Sequence, residues 1–172
     1  MTKGQQAIRE FTRTVTDTTG NLPPLPGIFP DMLAPVVRNT ADRRHDGPRV
    51  EIAHKGGFIV DLPAYVSEEA AGEIIATEIK LWLKRRVRRD VHEIAAAYEK
   101  RFGLKPRGIR VAEFVTGWGS CGQSGTIHID WRLVFAPKRV LEYVVVHELA
   151  HLKHRSHGEG FWALFVRYSC SV

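Results

Sequence analysis

The chain has 172 residues, of which 44% are hydrophobic and two are cysteines. This length suits one domain with a hydrophobic core, together with a shorter appended segment. Two cysteines are too few for a disulfide framework, so we expect a reducing, cytoplasmic compartment. No apolar secretory segment opens the sequence, and no stretch is apolar for long enough to cross a bilayer, so no membrane partner is expected.

The formal net charge is +6 and the sequence pI is about 9.6. Such a charge is typical of proteins that bind nucleic acid, and the densest basic run lies at residues 84–89. Acidic side chains at Glu78, Asp90 and Glu93 accompany this run, which favours a solvated helix face. Nucleic acid is therefore an alternative partner that we do not favour. The charge does not determine the oligomeric state.

Residues 1–48 are predicted to form an irregular N-terminal extension. Prolines recur from Pro23 to Pro35 and exclude a regular helix or a central strand there. We place the domain boundary at residue 49, so that residues 49–172 form the folded domain.

The first elements of that domain are predicted to be a hairpin and a long helix. Residues 49–54 and 58–62 are β-prone, and the Lys-Gly-Gly sequence at 55–57 suits a tight turn between them. Ser67 suits a helix N-cap, and apolar residues at helical spacing continue until a plausible stop at Gly103.

Strands and helices then alternate in a pattern that predicts an α+β domain. The predicted elements are a strand, a Gly/Ser-rich turn region, a second strand and two helices, at 109–115, 117–125, 126–130, 137–154 and 161–168. We expect a peptide to add to an exposed sheet edge, and the strand at 126–130 is our candidate for that edge.

Four of the eight histidines lie between His147 and His157. His147-Glu148-Leu149-Ala150-His151 matches the pattern His-Glu-x-x-His. Residues four apart share one face of a helix, so both imidazoles can reach one metal ion. Neutral imidazole suits zinc, and the intervening Glu148 is close enough to act as a general base on the attacking water.

Catalytic zinc sites have three protein ligands and one open position. His157 follows the motif, and Gly158 permits the chain reversal that would bring its imidazole back. His154 is a rival ligand, although three ligands along one straight helix diverge over about 10 Å. Glu159 is a weaker candidate. The predicted ligands of one zinc ion per chain are His147, His151 and His157.

Glu148 falls inside the apolar stripe of its helix, where a carboxylate is costly unless it has a partner such as a metal site. Tyr143 and His128 are candidate groups for stabilising an oxyanion, although each is more often a packed or exposed residue. Cys121 is expected to be structural rather than a ligand. Three tryptophans are expected to be packing anchors, namely Trp118, Trp131 and Trp162.

Several motifs together resemble the YgjP-like metallopeptidases, which are related to the SprT-like and minimal gluzincin zinc peptidases. The motifs are Trp118-Gly119-Ser120-Cys121, Trp131-Arg132-Leu133, Ala136-Pro137, the His-Glu-x-x-His segment and His157-x-x-x-Phe161-Trp162. The resemblance covers about residues 49–168. It implies a compact zincin-like domain, in which a small twisted sheet lies over the active-site helix.

The resemblance implies the same three histidine ligands, with Glu148 as the catalytic residue. The sequence therefore predicts a zinc-dependent metallopeptidase that hydrolyses protein or peptide substrates. Two alternatives remain open: a nucleic-acid-associated zinc protein that uses the basic helix, and a zinc-binding scaffold without catalytic activity.

Overall fold

The computed structural model describes Gln6 and residues 36–40, 47–52 and 58–169. The elements in chain order are β1 (Val36–Thr40), β2 (Arg49–Ile52), β3 (Phe58–Pro63), α1 (Glu68–Phe102), β4 (Gly108–Ala112), β5 (Gly119–Cys121), β6 (Thr126–Asp130), a 3₁₀ helix (Trp131–Phe135), α2 (Lys138–Ala150) and α3 (Glu159–Ser169). The chain divides into two units. Of the described residues, those from 36 to 83 form one unit, and those from 84 to 169 belong to the other.

The first unit contains a three-stranded sheet of order β1-β3-β2. β2 and β3 pair antiparallel, so the predicted hairpin is confirmed, while its turn lies outside the described residues. Alternate residues of β3 are buried, because Phe58, Val60 and Leu62 share one face of the strand. The ring of Phe58 packs edge-to-face on Trp82 with centroids 5.4 Å apart.

β1 corrects one prediction, since residues 36–40 were expected to be irregular. This strand pairs parallel with β3, and Arg38 forms an ion pair with Asp61 at 3.2 Å. Two β-branched residues, Val36 and Val37, follow Pro35, and the partner strand supplies the hydrogen bonds that local sequence could not reveal. Most of the extension lies outside the described residues, so the domain boundary at residue 49 stays a prediction.

Helix α1 has 35 residues and begins and ends as the sequence predicts. The Ser67 hydroxyl accepts a hydrogen bond from the Ala70 amide at 3.4 Å. Gly103 follows the helix with a φ of +66°, a left-handed conformation that glycine adopts without strain.

The basic run lies on α1, and part of its charge is neutralised locally. Arg86 Nε lies 3.1 Å from an Asp90 carboxylate oxygen, and Arg89 Nε lies 3.9 Å from the other. These exposed pairs agree with the expected solvated helix face. Nucleic-acid binding by this run stays a prediction that we do not favour.

The second unit contains a sheet of order β4-β6-β5, with β6 parallel to β4 and antiparallel to β5. β6 is therefore the central strand, and the prediction that it forms an exposed edge is wrong. A strand at Gly119–Cys121 was not predicted, because three residues in a Gly/Ser-rich segment carry no alternating pattern. Among the described strands, β5 is the edge next to the helix that carries the histidine motif.

That helix, α2, packs against β5 and β6 and is buried along much of its circumference. Ile127 and Ile129 of β6 are fully buried in the same hydrophobic core. α2 ends at Ala150 rather than near His154 as predicted, because the chain tightens into i→i−3 hydrogen bonds at Leu152 and Lys153. Helix α3 is present where the sequence predicts it.

The fold class is α+β, as predicted: a small sheet lies over the helix with the histidine motif, and a long helix precedes them. Among the described residues, no helix is long and apolar enough to cross a membrane.

Truncation tests the extension. Removing residues 1–46 deletes β1 and uncovers the edge of β3, whereas removing residues 1–35 retains β1. We expect both truncated chains to unfold cooperatively on heating. The longer deletion should unfold at the lower temperature and associate more readily, because an unpaired strand edge is exposed. Loss of the cooperative transition in both chains would place the extension in the folded core.

Candidate metal centre and active site

Three histidines from two different local structures converge on one point. His147 lies in the last turn of α2 and His151 caps that helix, so their four-residue spacing places both rings on one side. His157 lies in the exposed turn between α2 and α3. One nitrogen from each ring lies within 4.8 Å of the other two, and we call this group the histidine cluster.

The shortest nitrogen–nitrogen distances within the histidine cluster are close to those expected between the ligands of one metal ion. His157 Nε2 lies 2.9 Å from His147 Nε2 and 3.2 Å from His151 Nε2. Ligand nitrogens placed 2.0–2.1 Å from one tetrahedral zinc ion lie about 3.3 Å apart. The three side chains therefore fit a single zinc ion without a large rearrangement.

Hydrogen bonding alone cannot satisfy the histidine cluster. His151 Nδ1 lies 2.9 Å from the His154 carbonyl oxygen, which only accepts, so Nδ1 carries the proton and Nε2 presents a lone pair. His157 Nε2 can either donate one hydrogen bond or accept from His147. Whichever tautomers His147 and His157 take, one of the two close contacts lacks a proton between its nitrogens. A cation accepts all three lone pairs at once.

The environment favours the neutral form of His147 and His151, which is the form that binds a metal ion. Burial, followed by the charges of His151 and His157, lowers the pKa of His147 to about 4. Burial is also the main cause that lowers the pKa of His151. Among the described residues, His147 Nδ1 is buried without a hydrogen-bond partner, so Nε2 is the nitrogen of this ring that faces other polar atoms.

The rival ligands lie outside the histidine cluster. His154 contributes its backbone carbonyl to His151, and its ring lies against Gly160. Glu159 begins α3 on the surface, and Cys121 faces Arg155 with its thiol pKa raised mainly by burial. None of these three side chains joins the converging nitrogens.

Aromatic side chains from α3 support the histidine cluster. The fully buried ring of Phe161 lies within 4.9 Å of all three imidazole centroids. Trp162 stacks on His157 with centroids 5.8 Å apart and an interplanar angle of 29°. These contacts fix the ring of His157, the one histidine of the three that no helix holds.

Glu148 is buried beside this group, with 5% of its surface exposed. Burial raises the pKa of its carboxyl to about 7, because a low-dielectric environment disfavours the charged form. The carboxylate lies against β5 so closely that a Cβ at Gly119 would be 2.9 Å from Glu148 Oε1. The absence of a side chain at Gly119 makes room for the carboxylate.

A cavity of about 270 Å³ opens beside Glu148. Its lining comes from β5, the loop before it and α2, and consists of Trp118, Gly119, Tyr143, Val144, His147 and Glu148. Of the two groups considered for stabilising an oxyanion, Tyr143 lines this cavity and His128 does not. All three tryptophans expected to be packing anchors are at least half-buried, and Trp118 additionally forms a cavity wall.

A family model for the YgjP-like metallopeptidase domain matches residues 47–169, which is more than two thirds of the chain. The chain belongs to the YgjP-like metallopeptidase family. No curated protein matches it. Among solved structures, the crystal structure of the metallopeptidase zymogen of Pyrococcus abyssi abylysin is similar at 22% identity and a TM-score of 0.41, over 45% of this chain and 77% of that one.

In this YgjP-like chain, a buried ion pair holds the loop that carries Trp118. Asp130 accepts hydrogen bonds from the amides of Phe114 and Arg132, each at 2.8 Å, and from the Arg132 guanidinium. Arg132 in turn donates to the Phe114 carbonyl. These hydrogen bonds connect the end of β6 to the segment that follows β4. Removal of either Asp130 or Arg132 would leave the other charge buried and unpaired.

Sequence reasoning missed two contributors to the site. Gly119 was recognised only as part of a motif, since nothing in its neighbours reveals the carboxylate beside it. No sequence pattern points to Arg155. Its guanidinium hydrogen-bonds the carbonyls of Gly122 and Gln123, and only the folded chain brings these residues together.

The contact between Gly119 and Glu148 is testable by stability measurements. Gly119→Ala should lower the free energy of unfolding by roughly 1–3 kcal/mol, because the new Cβ overlaps Glu148 and approaches the His128 carbonyl at 3.1 Å. In a Glu148→Ala background the same substitution should lower the free energy of unfolding by less, because the overlapping side chain is absent. Gly122→Ala is the matched control, since its Cβ would meet no atom closer than 3.5 Å. Equal costs in both backgrounds would contradict the close contact.

Proposed function

We propose that this protein is a zinc-dependent metallopeptidase that hydrolyses peptide bonds in protein or peptide substrates. The observation that carries the proposal is the convergence of three imidazole nitrogens beside a buried carboxylate, at a cavity. Membership of a metallopeptidase family supports the same function. The proposed zinc ligands are His147, His151 and His157, with one ion per chain.

The histidine cluster suits a catalytic rather than a purely structural zinc ion. Structural zinc sites are closed by four protein ligands, whereas catalytic sites use three and leave a position open. When bound, the ion supplies Lewis-acid activation of water and of the substrate carbonyl.

Glu148 is the proposed general base. Its carboxylate takes a proton from the attacking water and delivers it to the leaving nitrogen of the scissile peptide bond. A pKa near 7 suits both steps, since the group can be unprotonated before attack and can release the proton afterwards. The buried position limits exchange of that proton with bulk water.

β5 is the proposed docking edge for the substrate. An extended peptide can add to a free strand edge through main-chain hydrogen bonds. β5 is the outer strand of the order β4-β6-β5, and its first residue, Gly119, lies against Glu148. A peptide that pairs with β5 would therefore run close to the general base and the cavity.

The third ligand is tested by comparing two neighbouring histidines. His157→Ala should release zinc at least ten times more readily than His154→Ala, since the first variant loses a ligand and the second keeps the carbonyl that orients His151. Zinc release is measured by competition with a chromogenic chelator. Equal release from both variants, or greater release from His154→Ala, would contradict the assignment.

The general base is tested with Glu148→Gln. This variant keeps size and hydrogen-bonding capacity but cannot accept the proton, so cleavage of unfolded casein-like chains should fall about 10²–10⁴-fold. Zinc content should stay near one ion per chain. The metal-free variant should be more stable than the parent, because a buried ionisable group has become neutral.

Glu159→Gln is the control for this experiment, because it removes an exposed carboxylate near the histidine cluster in sequence. Its cleavage rate should equal that of the parent. If Glu148→Gln cleaves as fast as the parent, another group is the base and the mechanism is wrong. A parent that binds one zinc ion yet cleaves no peptide would favour the non-catalytic scaffold.

A further inference from the structure

Arg155 connects the turn that carries His157 to the sheet. It lies four residues after His151 and two before His157, in the exposed part of the turn of residues 151–158. Its Nη1 donates to the Gly122 carbonyl at 2.9 Å, and its Nη2 donates to the Gln123 carbonyl at 3.1 Å. The same Nη1 lies 3.6 Å from Cys121 Sγ. One guanidinium thus bridges two carbonyls of the turn between β5 and β6.

The 151–158 turn has few other attachments. Its first half continues α2 through hydrogen bonds from Leu152, Lys153 and His154 to the helix end. Within the part of the chain that the structure describes, no main-chain hydrogen bond involves residues 155–157. Residues 153–160 are all exposed. The second half of the turn is therefore held by the Arg155 bridge and by the contacts of the His157 ring with α3, His147 and His151.

We propose that Arg155 is a positioning residue that holds His157 in its metal-binding geometry, with the β5–β6 turn as its anchor. The inference rests on the proposed zinc site. A planar guanidinium suits this role, because its two Nη atoms donate hydrogen bonds to two neighbouring carbonyls in a fixed geometry. Lysine has a single donor nitrogen at the end of a flexible side chain. The anchor belongs to the hairpin of β5, which also contacts Glu148, so Arg155 fixes the third ligand relative to the general base.

The test compares zinc affinity in three purified full-length variants with the parent. Arg155→Ala should weaken zinc binding about 10-fold or more, which is the range typical of residues that orient metal ligands. Arg155→Lys should recover part of the loss. Lys153→Ala is the matched control, since it removes an exposed positive charge from the same turn, and its zinc affinity should stay within about 2-fold of the parent.

Two further readouts separate positioning from a general loss of structure. The metal-free Arg155→Ala and Lys153→Ala variants should unfold at similar temperatures, because the bridge lies on the surface. The visible absorption of the cobalt-substituted protein reports ligand geometry, so it should change in Arg155→Ala and stay constant in Lys153→Ala. If Arg155→Ala does not fold, Arg155→Lys must still bind zinc more weakly than the parent.

An Arg155→Ala affinity within 2-fold of the parent would overturn the inference, as would an equal loss in Lys153→Ala. A parent that does not bind one zinc ion per chain would overturn the proposed metal centre, and this inference with it. Zinc titration of the parent distinguishes the two failures. Failure of the metal centre appears as absent binding in the parent, whereas failure of the Arg155 inference appears as equal affinity in the parent and Arg155→Ala.

Discussion

In the histidine cluster, three imidazole nitrogens approach within hydrogen-bond distance, yet the available protons cannot satisfy both contacts. His151 is fixed as a lone-pair donor by its bond to the His154 carbonyl, so a cation resolves the conflict and a tautomer change does not. Much of the nearby structure serves this arrangement. Helix α2 provides His147 and His151 at four-residue spacing, its early end at Ala150 starts the reversal, and α3 supplies the aromatic packing under the rings.

The second constraint is the burial of Glu148. Removing a carboxylate from water is costly, and burial raises the pKa of the Glu148 carboxyl. A protein that used this residue for packing would gain stability from an apolar side chain at the same position. Gly119 is consistent with a functional role for Glu148. The edge strand has no side chain at this position, and its backbone therefore lies directly beside the carboxylate.

Local pattern predicted the elements whose signals lie within one segment. Ser67 and Gly103 delimit α1, the hairpin follows β-prone runs, and His147 with His151 follows from helical spacing. The prediction of the third ligand needed a chain reversal, for which glycine in the 151–158 turn gave the only local signal. The zinc-ligand roles themselves remain predictions, although the structure brings the three side chains together.

Tertiary partners decided the features that the sequence did not reveal. β1 and β5 are short strands defined by the strands they pair with, and the position of β6 in the centre of its sheet depends on the existence of β5. The bridge from Arg155 to two backbone carbonyls leaves no side-chain pattern to recognise, because any residue can supply a carbonyl. Features of this kind become visible only when the fold is known.

His147 and His151 are held by a helix and its end, whereas His157 lies in an exposed turn, and this difference explains why His157 has more supporting contacts. On α2, backbone hydrogen bonds already fix the direction in which each side chain leaves the helix. Binding of a metal ion there would order only the side chains themselves. In an exposed turn, fixing each backbone residue costs about 1–2 kcal/mol of conformational entropy, and a ligand there binds weakly unless other contacts have already ordered the turn. The stacking of Trp162 and the Arg155 bridge make such contacts on opposite sides of His157 in sequence. Because the bridge ends on the β5 hairpin, the order of the turn depends on the same strand that borders Glu148, and the positions of His157 and Glu148 share one common support.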